Sequence, residues 1–156
     1  MGRTKICAPP ELLDRMPPND KALEQAVLGN AIVDWWNRET LTELEAEDFY
    51  QWGYGMVFRE VRRQRTRKQA TDTLALVTVA LKAEVDAGTL AECIHAAGRQ
   101  PQWQIRRLRE MRIQRERIEA SVALLWLAWT PEKGKWLALA KTLVAKIDRA
   151  LREAKP

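Results

Sequence analysis

The sequence has few of the side chains that carry out chemistry in enzymes. It contains one histidine, His95, and one serine, Ser121. A metal site at His95 would have to recruit Cys7 or Cys93, and neither spacing favours zinc. Ser121 lies among apolar residues of a predicted helix, without an identifiable base to activate it. We therefore expect no catalytic residue, no metal site and no cofactor, and a protein that acts by binding.

The sequence also lacks a nucleotide-binding phosphate loop. That loop needs Gly, four residues, and then Gly-Lys followed by Ser or Thr, so that backbone N–H groups surround the phosphates and the lysine neutralises them. Gly134-Lys135 is the nearest approach, but Trp129 stands five positions before Gly134 and Trp136 follows Lys135. We expect no ATP hydrolysis.

Cysteines and long apolar runs are scarce as well. Cys7 and Cys93 lie far apart, and no export signal precedes them, which is typical of a reduced cytosolic protein. The apolar run Leu124–Trp129 is much shorter than the roughly 18 residues that a membrane span needs. The sequence therefore predicts a soluble cytoplasmic protein. Its 156 residues suffice for one helical core but not for an ATPase domain as well.

Proline and helical periodicity divide the chain into three parts. Four of the seven prolines lie in residues 1–18, which are predicted to form an extended arm. Residues 19–100 predict a small globular helical domain. Gly98 and Pro101 mark a junction, and residues 101–156 predict a long antiparallel helical hairpin. No strand pattern competes, so the predicted fold class is all-α.

Capping residues and apolar spacing predict the helices of the globular part. Side-chain oxygens that accept the first free backbone N–H groups favour a helix start. The first predicted helix runs from an Asn19 or Asp20 cap to about Val33, and a short one lies around Thr40–Glu45. A longer helix runs from an Asp48 cap to about Arg65. The next runs from an Asp72 cap to a left-handed stop at Gly88, and the last from about Leu90 to Ala97. Their predicted apolar faces are Ala22, Leu23, Ala26, Val27 and Asn30; Phe49, Trp52, Met56 and Val57; and Leu74, Val77, Leu81 and Val85.

Gly29 lies inside the first predicted helix. Glycine at such a position costs about 1 kcal/mol relative to alanine. Two interpretations stay open: the missing side chain lets another helix approach closely, or the glycine is merely tolerated.

The hairpin is predicted from two apolar stripes and a cap between them. One helix runs from Gln102 to about Trp129; Thr130 caps a second helix that begins with Pro131 and ends near Glu153. The two stripes are expected to face each other. They consist of Leu108, Met111, Ile118, Val122, Leu125 and Trp129 on the first helix, and of Trp136, Leu139, Leu143, Ile147 and Leu151 on the second.

Apolar residues near the hairpin tip exceed what two helices can bury between themselves. Such a surplus indicates that another protein surface covers it. The predicted protein interface consists of Leu124, Trp126, Leu127, Trp129 and Trp136. Trp35, Trp36 and Trp52 lie beside or on predicted helices, so contacts with protein are favoured for them over stacking on nucleic-acid bases.

Two clusters of basic residues are candidates for contact with DNA phosphates or another acidic partner. A favourable interaction with the helix dipole, and solubility, are the alternative explanations. The second cluster includes Glu110, Glu116 and Glu119, which weaken its field, so the first is favoured. The first cluster consists of Arg59, Arg62, Arg63, Arg65, Arg67 and Lys68, and the second of Arg106, Arg107, Arg109, Arg112, Arg115 and Arg117.

Three segments together resemble a known family. Residues 15–29 read Arg-Met-Pro-Pro-Asn-Asp-Lys-Ala-Leu-Glu-Gln-Ala-Val-Leu-Gly; residues 47–50 read Glu-Asp-Phe-Tyr and precede Met-Val-Phe-Arg at 56–59; and Thr71-Asp72 leads into Leu-Val-Thr-Val-Ala at 76–80 and Gly-Thr-Leu at 88–90. In this order and spacing they resemble the N-terminal domain of the DnaB family of bacterial replicative DNA helicases. The RecA-like ATPase domain of that family has no counterpart in this sequence.

The resemblance implies a function as well as a fold. In the helicase family a small all-helical domain is followed by a hairpin that packs against that of a neighbouring subunit, and primase docks in the same region. The implied function is a non-catalytic interaction module of DNA replication that binds helicase, primase or helicase loader, and that forms a homo-oligomer through the hairpin. A free-standing protein and the N-terminal collar of a complete ATP-dependent helicase both fit. The alternative function is a basic accessory protein that binds DNA directly.

Overall fold

The computed structural model describes residues 17–33, 41–67, 72–98, 101–129 and 136–153. All regular structure within these ranges is helical, as predicted. The helices are α1 (Lys21–Ile32), α2 (Trp52–Thr66), α3 (Thr73–Lys82), α4 (Ala87–Ala96), α5 (Pro101–Trp129) and α6 (Trp136–Glu153), with a 3₁₀ turn at Ala46–Asp48 and helical backbone at Leu41 and Thr42. In the described part of the chain, no helix is both long and apolar enough to cross a membrane.

The N-terminal caps of α1 and α3 are the predicted ones. The Asp20 carboxylate accepts a hydrogen bond from the Leu23 backbone N–H at 3.0 Å, and that of Asp72 accepts from Leu74 and Ala75 at 3.0 and 3.1 Å. Each cap satisfies N–H groups that have no partner within the helix. The predicted start points of these two helices are therefore confirmed.

The predicted stop at Gly88 is wrong. Helix α3 ends at Lys82, and the residue with left-handed backbone is Glu84, with φ of 59°. Gly88 lies inside α4, because Asp86 caps that helix by accepting from the Thr89 N–H at 2.8 Å. The turn between α3 and α4 is thus made without a glycine.

We expect Asp72→Ala to lower the free energy of unfolding by about 1 kcal/mol, because two N–H groups of α3 lose their acceptor. Asp72→Asn retains a side-chain oxygen and is expected to behave like the natural sequence. Urea unfolding followed by circular dichroism measures both. Equal losses in the two variants would show that the cap bonds do not contribute.

The core of the head, by which we mean residues 17–98, is built around α1. Helices α2, α4 and α5 all pack against α1. The rings of Phe49 and Phe58 lie 5.1 Å apart in a tilted arrangement, which is a favourable geometry for aromatic pairs. The first turns of α5 cover the core where the hairpin begins. The largest core side chains include Leu28, Leu44, Val57, Phe58, Ile105 and Leu108.

All three predicted apolar faces are partly wrong. Leu74 and Leu81 are exposed, whereas Leu76, Ala80 and Ala83 form the buried side of this region. Helix α3 carries apolar residues on both sides, so helical spacing alone does not choose between them. Trp52 is 65% exposed at the start of α2, and Ala22 on α1 is exposed as well. The remaining members of these faces are buried or half-buried.

Gly29 allows a close helix contact, as the first of the two interpretations proposes. A Cβ atom at Gly29 would lie 1.8 Å from the carbonyl oxygen of Cys93 and 2.6 Å from its carbonyl carbon. These backbone atoms belong to α4, so α1 and α4 touch at a distance that only glycine permits.

The Cys93 thiol is buried beside this contact, and burial raises its pKa from 9.0 to about 11. We expect a Cys7→Ser variant to react with iodoacetamide at pH 8 at least about 100-fold more slowly when folded than in denaturant, since two pKa units remove that much thiolate. Because the folded pKa is the higher one, the fold should lose stability as pH rises from 9 towards 11. Equal labelling rates in buffer and denaturant would contradict the burial.

Helices α5 and α6 form the predicted hairpin, but the first part of the stripe on α5 packs in the head. Leu108 and Met111 are buried in the head, and Ile118, Val122 and Leu125 continue the same side of the helix beyond it. Ile113 and Ala120 are buried without belonging to the head core. They lie on nearly the opposite side at about 100° per residue. The predicted seam is therefore wrong at Leu108 and Met111, which pack in the head instead of against α6.

Candidate protein interaction surface on the hairpin

Arg115 joins the hairpin to the head. Its guanidinium donates to the backbone carbonyl of Asp48 at 2.7 Å and to that of Pro18 at 3.1 Å. It also lies over the Tyr50 ring, 5.8 Å from the ring centre, within the range of cation–π attraction. Burial lowers the pKa of Arg115. One side chain of α5 thus holds two separate segments of the head, at Pro18 and at residues 48–50.

Two buried carboxylates surround this arginine. Glu24 accepts from the N–H groups of Tyr50 and Gln51, the two residues that precede α2, at 2.8 and 3.0 Å. Asp48 accepts from the Glu45 N–H at 2.6 Å and pairs with Arg112 at 3.3 Å. Burial raises the pKa of both Glu24 and Asp48. The predicted Asp48 cap of α2 is wrong, because Asp48 lies in the 3₁₀ turn and α2 begins only at Trp52.

A second polar anchor lies at the base of α5. Buried Asn30 of α1 donates to Gln104 of α5 at 2.9 Å. Its carbonyl oxygen accepts from the Gly98 N–H, also at 2.9 Å. Buried hydrogen bonds at two places along α5 fix the direction in which the hairpin leaves the head.

Beyond the head, α5 carries an exposed apolar surface that we call the hairpin stripe, made of Ile118, Val122 and Leu125. Their exposed fractions are 44%, 41% and 40%. They follow each other at four and three residues and so form one row. This row therefore leaves apolar surface open to solvent.

The predicted interface at the hairpin tip is described only in part. Leu124 is half-buried and lies on the side of Ala120, four residues earlier, and not in the hairpin stripe. The side chains of Trp126, Leu127, Trp129 and Trp136 lie outside the described residues, as do Thr130 and Pro131. The hairpin stripe begins at Ile118, nearly two turns closer to the head than Leu124, the first residue of the predicted interface.

The first basic cluster is largely paired with acids. Arg59 pairs with Glu47 at 3.0 Å, Arg62 pairs with Glu45, and Arg63 donates to Glu60 at 2.7 Å. The Arg63 guanidinium lowers the pKa of Glu60. Arg65 is half-buried, Arg67 is exposed, and Lys68 lies outside the described residues. The carboxylates of Glu45, Glu47 and Glu60 thus reduce the positive field of this cluster.

The second basic cluster is divided between the interior and the surface. Arg115 and Arg112 bind the head, and Arg107 pairs with Glu110 at 3.3 Å. Arg106 is exposed and has no acidic partner among the described residues. Sequence reasoning missed the roles of Glu24 and Arg115, because only the folded chain brings residues 24, 48 and 115 together.

Comparison with known proteins defines the class of this domain. The family model described as the DnaB-like helicase N-terminal domain matches residues 16–100, which is more than half of the chain. The chain therefore belongs to the family of DnaB-like helicase N-terminal domains.

The fold agrees with a solved member of the same class. The crystal structure of the N-terminal domain of DnaB helicase from Mycobacterium tuberculosis superimposes with a TM-score of 0.72 at 19% sequence identity, over 86% of this chain and 99% of that one. Among curated proteins, none matches the chain. The all-helical head with its hairpin is thus the fold of a helicase N-terminal domain.

Proposed function

We propose that this chain is a non-catalytic interaction module of DNA replication that binds a replicative helicase, its primase or its helicase loader. The same surface would pair two copies of the chain or form the N-terminal collar of a helicase. Membership of the family supports a role in DNA replication. The hairpin stripe supports the mode of action, since a row of exposed apolar side chains on a fixed helix is what a protein partner covers.

The hairpin stripe is the single observation that carries this proposal. Full burial of one Ile, Val or Leu side chain contributes about 1.5–3 kcal/mol, and these three are each 40–44% exposed. In a two-fold interface each residue contributes twice, because both copies present the same surface. The two buried anchors hold α5 in place before binding, which lowers the entropic cost of association.

The proposed mechanism is that the chain either joins an assembly of similar domains or competes with its members for the same contact surface. By presenting the surface that a helicase N-terminal domain presents, the chain would join or cap a helicase ring, recruit primase, or block either event. Assistance and inhibition both follow from the same contact.

Titration of the purified chain with primase and with helicase at moderate salt tests the proposal. We expect saturable binding that Val122→Glu weakens by about tenfold or more, because a charge in an apolar contact is costly. Trp126→Glu probes the hairpin tip in the same way. Leu74→Glu is the matched control, since Leu74 is an exposed apolar residue on the head.

Direct DNA binding through the first basic cluster is the result that would replace this proposal. Such binding falls steeply with salt and would be lost in a variant carrying Arg62→Glu and Arg63→Glu. No binding to either protein, together with that DNA behaviour, would contradict the interaction module.

A further inference from the structure

Trp103 is an exposed aromatic residue that the helicase-related role leaves unexplained. It is 59% exposed in the first turn of α5. Its neighbours Gln104 and Ile105 are buried, and Gln104 is bonded to Asn30. The backbone that carries the ring is therefore fixed, while the ring itself faces solvent.

Two arginines follow Trp103 at helical spacing. Arg106 and Arg107 lie three and four residues further along α5, so they flank Trp103 one turn later. Long side chains in a helix lean towards its N-terminus, so both guanidinium groups can reach a phosphate bound beside the ring. Arg106 has no acidic partner among the described residues. Arg107 pairs with Glu110 at 3.3 Å with both side chains about half exposed, a contact that contributes little.

Trp52 shows that exposure of a tryptophan alone does not produce this arrangement. It is 65% exposed, but Gly55 and Met56 occupy the positions three and four residues later. The nearest arginine along α2, Arg59, pairs with Glu47 at 3.0 Å. Of these two exposed tryptophans, Trp103 alone has arginines three and four residues later.

We propose that Trp103, Arg106 and Arg107 bind single-stranded nucleic acid. The indole ring stacks on an unpaired base, and the two guanidinium groups contact the phosphates on either side of it. A duplex fits less well, because its bases already stack on each other. Ile118 lies fifteen residues beyond Trp103, which is about 22 Å along the helix, so this site and the hairpin stripe can be occupied together.

Fluorescence anisotropy of a labelled 20-nucleotide oligo(dT), titrated with the full chain at low salt, tests the proposal. We expect Trp103→Ala to weaken binding about fivefold or more, which is the usual loss when a stacking platform is removed. Arg106→Gln should weaken binding and reduce the slope of affinity against salt by about 0.7, as for one lost phosphate contact. Trp52→Ala is the matched control and should bind like the natural sequence.

An abasic strand of the same length separates stacking from charge. The natural sequence should prefer oligo(dT) to the abasic strand, and Trp103→Ala should lose that preference. Undetectable binding to oligo(dT), an unchanged affinity in Trp103→Ala, or an equal loss in Trp52→Ala would each overturn the proposal. Trp103→Ala should leave primase and helicase binding unchanged; loss of that binding with DNA affinity intact would assign Trp103 to the protein interface instead.

Discussion

Gly29→Ala is expected to destabilise the protein by about 3 kcal/mol or more, although alanine is the better helix former. The propensity gain is about 1 kcal/mol. Against it, the new Cβ would lie 1.8 Å from the carbonyl oxygen of Cys93, where backbone and not a flexible side chain must move. The two helices would have to separate, which opens the core along their whole contact.

Thermal and urea unfolding of Gly29→Ala measure this loss, with Gly98→Ala as the control. A Cβ at Gly98 meets nothing within 4 Å, so that variant should stay within about 0.5 kcal/mol of the natural sequence. A Gly29→Ala variant as stable as the natural sequence would show that α1 and α4 are not in backbone contact.

Arg115→Met is the second large expected effect, a loss of about 3 kcal/mol or more, because removal of one partner leaves buried charges and carbonyls unsatisfied. Methionine keeps much of the volume but none of the hydrogen bonds. The carbonyls of Asp48 and Pro18 would lose their donor, and Glu24 would lose the nearby positive charge that favours its ionised form.

Arg107→Met on the same helix is the matched control. Arg107 and its partner Glu110 are both about half exposed, and surface pairs of this kind contribute about 0–1 kcal/mol. Urea unfolding of the two variants should therefore differ clearly. Similar small losses in both would contradict a structural role for the buried network around Arg115.

Local sequence patterns predict the role of a residue when its hydrogen-bond partner lies within one helical turn of it. Asp20 and Asp72 cap helices whose N–H groups are two or three residues away, so their roles could be predicted. Asp48 has the same local pattern, but α2 begins at Trp52, and the N–H groups of Tyr50 and Gln51 just before it are bound by Glu24 from α1. No spacing rule connects those two positions, because only the packing of α1 on α2 brings them together.

Apolar periodicity predicts helices well and their partners poorly. The row from Leu108 to Leu125 lies on one side of α5, as predicted, yet its first members face the head and its last members face solvent. The helix is longer than the head it packs against, and the sequence does not show where the head ends. For a similar reason, the positive field of the first basic cluster is weaker than its own sequence indicates. Glu45 and Glu47, which pair with Arg62 and Arg59, come from a different segment.

Sedimentation velocity of the natural sequence and of Val122→Glu, over a range of concentrations, tests the central claim most directly. If the hairpin stripe is an assembly surface, the natural sequence should form dimers or larger assemblies, and Val122→Glu should remain monomeric with an unchanged circular dichroism spectrum. A natural sequence that stays monomeric at every concentration, or a variant that assembles equally well, would contradict the claim.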